Sequence, residues 1–391
     1  MKTRFLSLDI LRGITLAGMI LVNNNGNGDF TYGPLLHAKW NGFTPTDLVF
    51  PSFLFMVGVA MRFSFKSFNY QLTPAVRNKI LKRTLYLFLI NYFVFYFPFT
   101  DFSFEKLRFL NVLPRIALSY CAVSFLTLQV PSKWLTWINA GILLSFWGIL
   151  YVFGDAGSWM DISENAVRKL DLFLFGESHL YHGNVVNGIR IAFDPEGFLS
   201  TLPAISTCLF GYQVSLYLEN QSKENKSALA GLLGWGAALI LVAVIWDHAF
   251  PINKKLWTSS FVLLCAGIDF ILIGLLNWWI ETKERHFGNT FFRTGDDAHT
   301  QLGCGRDHIG PVSQLVTLLK GEVQQGSQHQ GGQFDRHLLD PVKGLTPWQT
   351  VQHTRCALAN QFLEIHQVCR RDDGCNTTPL LIMHGRVHAH E

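Results

Sequence analysis

Apolar runs of about twenty residues recur along the chain, broken by short polar stretches. They fall near 6-26, 47-66, 79-98, 110-129, 133-153, 197-218, 228-246 and 256-280. A helix rising 1.5 Å per residue needs about that length to cross a hydrocarbon core of roughly 30 Å. The pattern therefore predicts an all-α polytopic membrane protein of about eight transmembrane helices. The short basic N-terminus leads into a segment that ends in Asn and Gly, not in a small-residue cleavage site, so the first run is read as a retained span. Lys2, Arg4, Arg62, Lys66, Arg77, Lys79, Lys82, Arg83, Lys133, Lys223 and Lys226 fall in alternate connections. The positive-inside rule then places the N-terminus in the cytoplasm and the segments 23-46 and 154-196 together on the outer side, as one chamber.

The pattern stops near residue 286. From there on lie ten of the fourteen histidines and eleven of the fifteen glutamines, but only one of the eleven tryptophans, with no run long enough to span. Two regions follow: 1-285, a transmembrane domain, and 286-391, a polar tail without sustained periodicity that reads as soluble, loop-rich or disordered. Composition agrees, with 49% hydrophobic and only 15% charged residues, a balance that suits lipid. The net charge of +4 is not gathered into a basic strip interleaved with aromatics, so nucleic acid is not an expected partner. Cys121, Cys208 and Cys265 sit in apolar runs, and the other four cysteines lack ligand spacing, so neither a disulfide framework nor a zinc site is expected.

Candidate chemistry gathers where the first run ends. Asn23-Asn24-Asn25-Gly26-Asn27-Gly28 leads through Tyr32 and Pro34 to Leu36-His37-Ala38-Lys39-Trp40-Asn41-Gly42, and Thr44-Pro45-Thr46-Asp47 opens the second run. As plain structure this is a turn followed by a helix cap. As chemistry, a histidine among amides and a Trp has what acyl transfer to an amine requires. His37 would take the proton as the amine attacks, and a donor such as Asn23 would hold the oxyanion, a contribution on the order of 3 kcal/mol.

Ionisable groups within spans are the next signal, since Asp or Arg at mid-bilayer costs roughly 2.5 to 3.5 kcal/mol. Asp9 and Arg12, three apart, read first as a local ion pair. Arg115, inside the fourth run, suits an anionic ligand group. Asp269, in the middle of the eighth, needs a partner or a water-filled cavity. Asp194, before Pro195, is explained by helix capping, which leaves Glu196 open to an ammonium or a sugar hydroxyl. His179 and His182 lack a clear third ligand, so no metal is expected there.

Several of these motifs carry a resemblance. Ser7-Leu8-Asp9-Ile10-Leu11-Arg12-Gly13, Val22-Asn23, His37 to Gly42, Asp47-Leu48-Val49-Phe50-Pro51, Val112-Leu113-Pro114-Arg115, Gly176 to Tyr181, Asp194-Pro195-Glu196-Gly197 and Pro251-Ile252-Asn253-Lys254-Lys255-Leu256-Trp257 resemble, in order and spacing, the heparan-α-glucosaminide N-acetyltransferase family. The resemblance runs from residue 5 to about 283. It implies acetyl-CoA as co-substrate on the cytosolic side, no metal, and an amino-sugar acceptor on the far side. It also implies His37 and Asn23 as catalytic residues. Asn24, Trp40, Asn41, Asp47, Arg115 and Glu196, with Asp9, Arg12 and Asp269, are the expected substrate or cofactor contacts. Whether acetyl rests on the histidine or passes directly is left open.

The family continues past the Trp257 span with further helices, whereas this chain turns polar soon after Gly288-Asn289-Thr290-Phe291-Phe292. Residues beyond that point read as a shifted reading frame or a non-homologous join. Lacking the long lumenal N-terminal region of animal members, the chain is expected in a bacterial inner membrane. Beyond lipid and the sugar, the sequence leaves a homodimer open. The competing readings are a transporter or flippase, for which no internal repeat is found, and an O-acetyltransferase of envelope polysaccharide.

Overall fold

The computed structural model describes residues 6–23, 31–96, 103–186, 188–221 and 226–282. Asn24 and the polar tail lie outside the described residues. Each apolar run becomes a helix whose start is set by local chemistry. These are α1 (Leu6–Asn23), α2 (Pro45–Lys66), α3 (Pro74–Tyr96), α4 (Val112–Gln129), α5 (Ser132–Phe153), a short α6 (Ala166–Phe175), α7 (Thr201–Glu219), α8 (Lys226–Asp247) and α9 (Ser259–Asn277), which runs on into a π-helical turn, Trp278–Thr282. Pro45 and Pro74 open α2 and α3, where a missing N–H costs nothing. The Asn111 side chain accepts from Val112 N to start α4, and Asn165 accepts from Arg168 N at 2.9 Å to start α6. Between α6 and α7, β1 (Asn184–Val186) and β2 (Ile189–Ile191) pair antiparallel, with Val185 opposite Arg190.

The eight long helices coincide with the eight expected runs. Five of them (α2, α4, α5, α8 and α9) are long and apolar enough to cross a membrane. Eight crossings are therefore not established by apolarity. Helix α3 carries Arg77, Lys79, Lys82 and Arg83, and α7 a series of hydroxyls. Boundaries also shift. Pro74 starts α3 before the expected 79, and α7 starts at Thr201 because Asp194 to Ser200 form turns.

Helices α2 and α7 form the centre, with α1, α4, α5 and α9 packed around them. Leu81, Leu85 and Leu89 of α3, Trp137 and Leu144 of α5, and Leu241 and Ile245 of α8 face outward. Such an apolar exterior is that of a helical membrane protein. Without a hydrophobic drive between helices in lipid, close backbone approach and buried hydrogen bonds must hold them together. Both are present. A Cβ on Gly58 would overlap the Cys208 carbonyl oxygen, and one on Gly211 would overlap that of Phe55, so α2 and α7 cross nearly backbone to backbone. Gly236 and Gly267 do the same for α8 and α9, each Cβ position lying within 2.8 Å of the other's carbonyl oxygen. Buried hydroxyls either bond back to their own helix, as Thr15 to Leu11 O and Ser124 to Tyr120 O, or bridge helices, as Ser259 to Leu143 O at 2.8 Å.

The short helix α6 is fastened by Asp171, whose Oδ1 accepts from Phe198 N at 2.9 Å while Oδ2 is buried without a hydrogen-bond partner among the described residues. Burial, with a smaller push from Asp194, raises this carboxyl to about 7 from an ordinary 3.8.

Two outcomes follow from this packing. Gly58→Ala and Gly211→Ala each destabilise by roughly 1 to 3 kcal/mol through overpacking, whereas Gly141→Ala, which meets no neighbour within 4 Å, does not; thermal unfolding of the detergent-purified protein measures this. A folded-state carboxyl held above its unfolded value binds a proton that the unfolded chain has lost, so Asp171 subtracts stability as pH rises from about 4 to about 7. Asp171→Asn therefore loses less melting temperature than the parent between pH 5 and pH 8, and equal losses would refute the assignment.

Candidate active site

Residues 31–47 are folded by their own hydroxyls. Thr46 Oγ1 donates to Pro34 O, and the single Thr44 Oγ1 proton is shared between Leu36 O and Asp47 Oδ2, drawing the segment back over the start of α2. Asp47, in the first turn of α2 and fully buried, closes the arrangement. Its Oδ2 accepts from Ala38 N, Thr44 N and Thr44 Oγ1 at 3.0 to 3.1 Å, and its Oδ1 lies 2.7 Å from His37 Nδ1. A carboxylate in so many donor contacts is ionised and only accepts. Where Nδ1 donates to this carboxylate, Nε2 keeps its lone pair. The His37 side chain is 40% exposed.

A second segment, 248–258 between α8 and α9, lies against the first. Gly42 N donates to Ile252 O at 2.8 Å, and Asn253 Nδ2 to Asn41 Oδ1 at 3.1 Å. Asn253 is held by its own turn, receiving Leu256 N on Oδ1. This delivers Lys254, whose Nζ is 2.9 Å from His37 Nδ1, 3.4 Å from Nε2 and 3.5 Å from Asp47 Oδ1. Burial and the Lys254 charge hold the imidazole below the ordinary histidine value, and together they outweigh the opposing pull of Asp47 and Glu196.

The third contributor is the 154–200 segment. Trp40 Nε1 donates to Met160 O at 3.1 Å, and its ring meets Phe193 edge to face at 5.6 Å. Lys255 Nζ, 6.0 Å from the Trp40 ring centre, donates to Asn184 Oδ1 at 3.0 Å. The two segments expected to share a chamber do touch. Nearby is a separate charged centre. Arg108 forks onto both oxygens of Asp194 at 2.7 Å, reaches Glu196 at 2.6 Å and lies over the Tyr181 ring. Asp194 is thus the buried partner of an arginine and caps only its own turn, through Glu196 N; the expected role as the α7 cap is corrected, because Ser200 precedes that helix. Fully buried Arg115 donates to Gly197 O and Ser200 Oγ and stacks 4.9 Å from the Trp257 ring centre. Its Nε and Nη1 have no hydrogen-bond partner among the described residues.

Of the residues singled out in the sequence, His37, Trp40, Asn41 and Asp47 converge, while Arg115 and Glu196 belong to the adjoining charged centre. Asn23 closes α1, and no hydrogen bond among the described residues joins it to His37. Asp9 and Arg12 pair with each other at 3.4 Å in the first half of α1, away from this site. Asp269 Oδ1 receives Ser52 Oγ at 2.6 Å within the bundle, while its Oδ2 is buried without a hydrogen-bond partner among the described residues. His179 Nδ1 lies 2.7 Å from Leu107 O. Sequence reasoning quoted Asn253 and Lys254 in the Pro251 to Trp257 motif without giving them a role, and did not single out Arg108. The available signal was a pair of adjacent lysines in a connection of eleven residues between two apolar helices.

Residues 4–227, a stretch holding His37, Asp47, Arg115 and Glu196, match the family described as heparan-alpha-glucosaminide N-acetyltransferase, catalytic. Similar proteins are the heparan-alpha-glucosaminide N-acetyltransferases of Mus musculus and Homo sapiens, each 27% identical over 341 residues covering 75% of this chain and, respectively, 52% and 51% of the relative. The chain thus spans about half the length of these curated relatives. With the family match extending over more than half of its residues, the chain belongs to the heparan-alpha-glucosaminide N-acetyltransferase catalytic family.

Proposed function

We propose that this chain is an integral-membrane acetyltransferase that moves acetyl from acetyl-CoA on the cytosolic side to the amino group of a glucosamine-type sugar on the other side. The observation that carries the reading is the 2.7 Å contact of His37 Nδ1 with the buried carboxylate of Asp47, inside the stretch matched by the family. Asp47 orients the ring and fixes the tautomer, so that Nε2 is the base. The amine nitrogen attacks the thioester carbonyl carbon. As the C–N bond forms and the C–S bond breaks, Nε2 takes the N–H proton and returns it to the leaving thiolate. If acetyl rests on the enzyme between two half-reactions, the same Nε2 is the atom that carries it.

Trp40 and Lys255, beside the dyad, offer an aromatic face and a donor to a sugar ring. The N-terminus is cytoplasmic in this reading, so the His37 end faces outward. Arg115 and Glu196 then flank the acceptor path.

Membranes bearing the chain, incubated with radiolabelled acetyl-CoA and glucosamine, are expected to yield labelled N-acetylglucosamine. The label should resist hydroxylamine as an amide does; hydroxylamine-labile label would make the enzyme an O-acetyltransferase. His37→Ala is expected to abolish transfer, and Asp47→Asn to lower it on the order of 10²- to 10⁴-fold, the usual worth of a positioned general base. Transfer undiminished in His37→Ala protein that is extracted intact would refute the assignment.

A further inference from the structure

A neutral base beside a buried carboxylate poses a problem. An ionised Asp47 in contact with an imidazole favours the imidazolium, and a histidine held as a cation takes no proton. Asp47, however, has two candidate cations. Lys254 Nζ lies 3.5 Å from Asp47 Oδ1 and 2.9 Å from His37 Nδ1, so all three groups share one corner of the site. Since lysine ordinarily ionises near 10.4 and histidine near 6.5, the single charge that Asp47 balances belongs to Lys254. A second cation on the imidazole would then face an ammonium at hydrogen-bond distance.

We propose that Lys254 is a positioning residue that lets Asp47 orient His37 without protonating it, because the Lys254 ammonium occupies the carboxylate's charge and opposes a positive imidazole. The inference rests on the reading of His37 as the proton acceptor. Other charged groups do not substitute. Glu196 pulls His37 toward protonation but is engaged by Arg108 at 2.6 Å. Lys255 is turned to Asn184 and Trp40, and its own value is lowered by burial and by Lys254. The loop geometry serves the same end: Asn253, anchored to Asn41, places the next residue beside the ring nitrogens. In the transfer step the imidazolium formed by proton uptake is destabilised by Lys254. It therefore passes its proton promptly to the thiolate.

The test is the pH dependence of kcat/KM for acetyl transfer, with carbethoxylation of His37 by diethyl pyrocarbonate, read on its peptide by mass spectrometry, as a probe of the neutral ring that does not depend on turnover. In the parent protein the acid limb and the carbethoxylation midpoint are expected below the ordinary value of about 6.5. Lys254→Met is expected to raise both by roughly 1 to 3 pH units, and Lys254→Arg, which keeps the charge, to restore them. A Lys254→Met protein that is slower but whose limb and midpoint stay in place would overturn the proposal, leaving Lys254 a loop support. If Lys254→Met is not recovered folded, the parent decides: a midpoint at or above about 6.5 is fatal to the idea. Should His37→Ala retain transfer, it is the His37 reading that fails, an outcome separate from an unmoved limb in Lys254→Met.

Discussion

The site depends on the burial of one charge. Removing a carboxylate from water costs several kcal/mol unless donors and a counter-charge replace the solvent, and Asp47 is completely buried. Its replacements come from three places: the backbone amides of Ala38 and Thr44 with the Thr44 hydroxyl, the imidazole of His37, and the ammonium of Lys254. Its place in the first turn of α2 adds the positive end of that helix. Because these donors replace the lost water, the carboxylate fixes where the 31–44 segment folds back and how close the α8–α9 connection must come.

That demand can be met only if the helices bearing these segments keep their places, and in lipid this rests on close approach. The glycine pairs at α2/α7 and α8/α9 bring backbones nearly into contact, fixing the spacing between the start of α2 and the connection that precedes α9. Helix α2 is also held at its far end. Arg62 donates to Glu219 of α7 at 2.8 Å and lies 3.7 Å from the centre of the Tyr70 ring, while Lys66 and the Tyr70 hydroxyl complete the Glu219 carboxylate. Two charged clusters thus bracket one helix, and its N-terminal one is the catalytic candidate.

The adjoining Arg108, Asp194 and Glu196 group plays a different part. Burial raises the Asp194 carboxyl, and the two Arg108 bonds act against that rise. A fork onto two oxygens fixes direction as well as distance. It ties the connection before α4 to the one before α7, and so steadies Tyr181, Phe193 and the wall that Trp40 leans on. Arg115 behind it keeps two guanidinium nitrogens without partners among the described residues, an arrangement that costs stability.

Local order was legible in the chain. Apolar runs of membrane length mark the helices because a helix in lipid must satisfy its backbone internally. Asp9 and Arg12 pair as their three-residue spacing dictates, and His37 and Asp47 stand in one short motif whose hydroxyls and proline dictate the fold-back. What the sequence could not disclose are contacts between residues far apart. Lys254 reaches His37 across 217 positions, Ser52 meets Asp269 across the same separation, and Arg108 finds Asp194 across 86. Periodicity and spacing encode which face and which turn a residue occupies, since those follow from bonded geometry. Which distant side chain answers a buried charge is decided only when the helices pack, because burial, and the cost of leaving that charge unpaired, exist only in the assembled bundle.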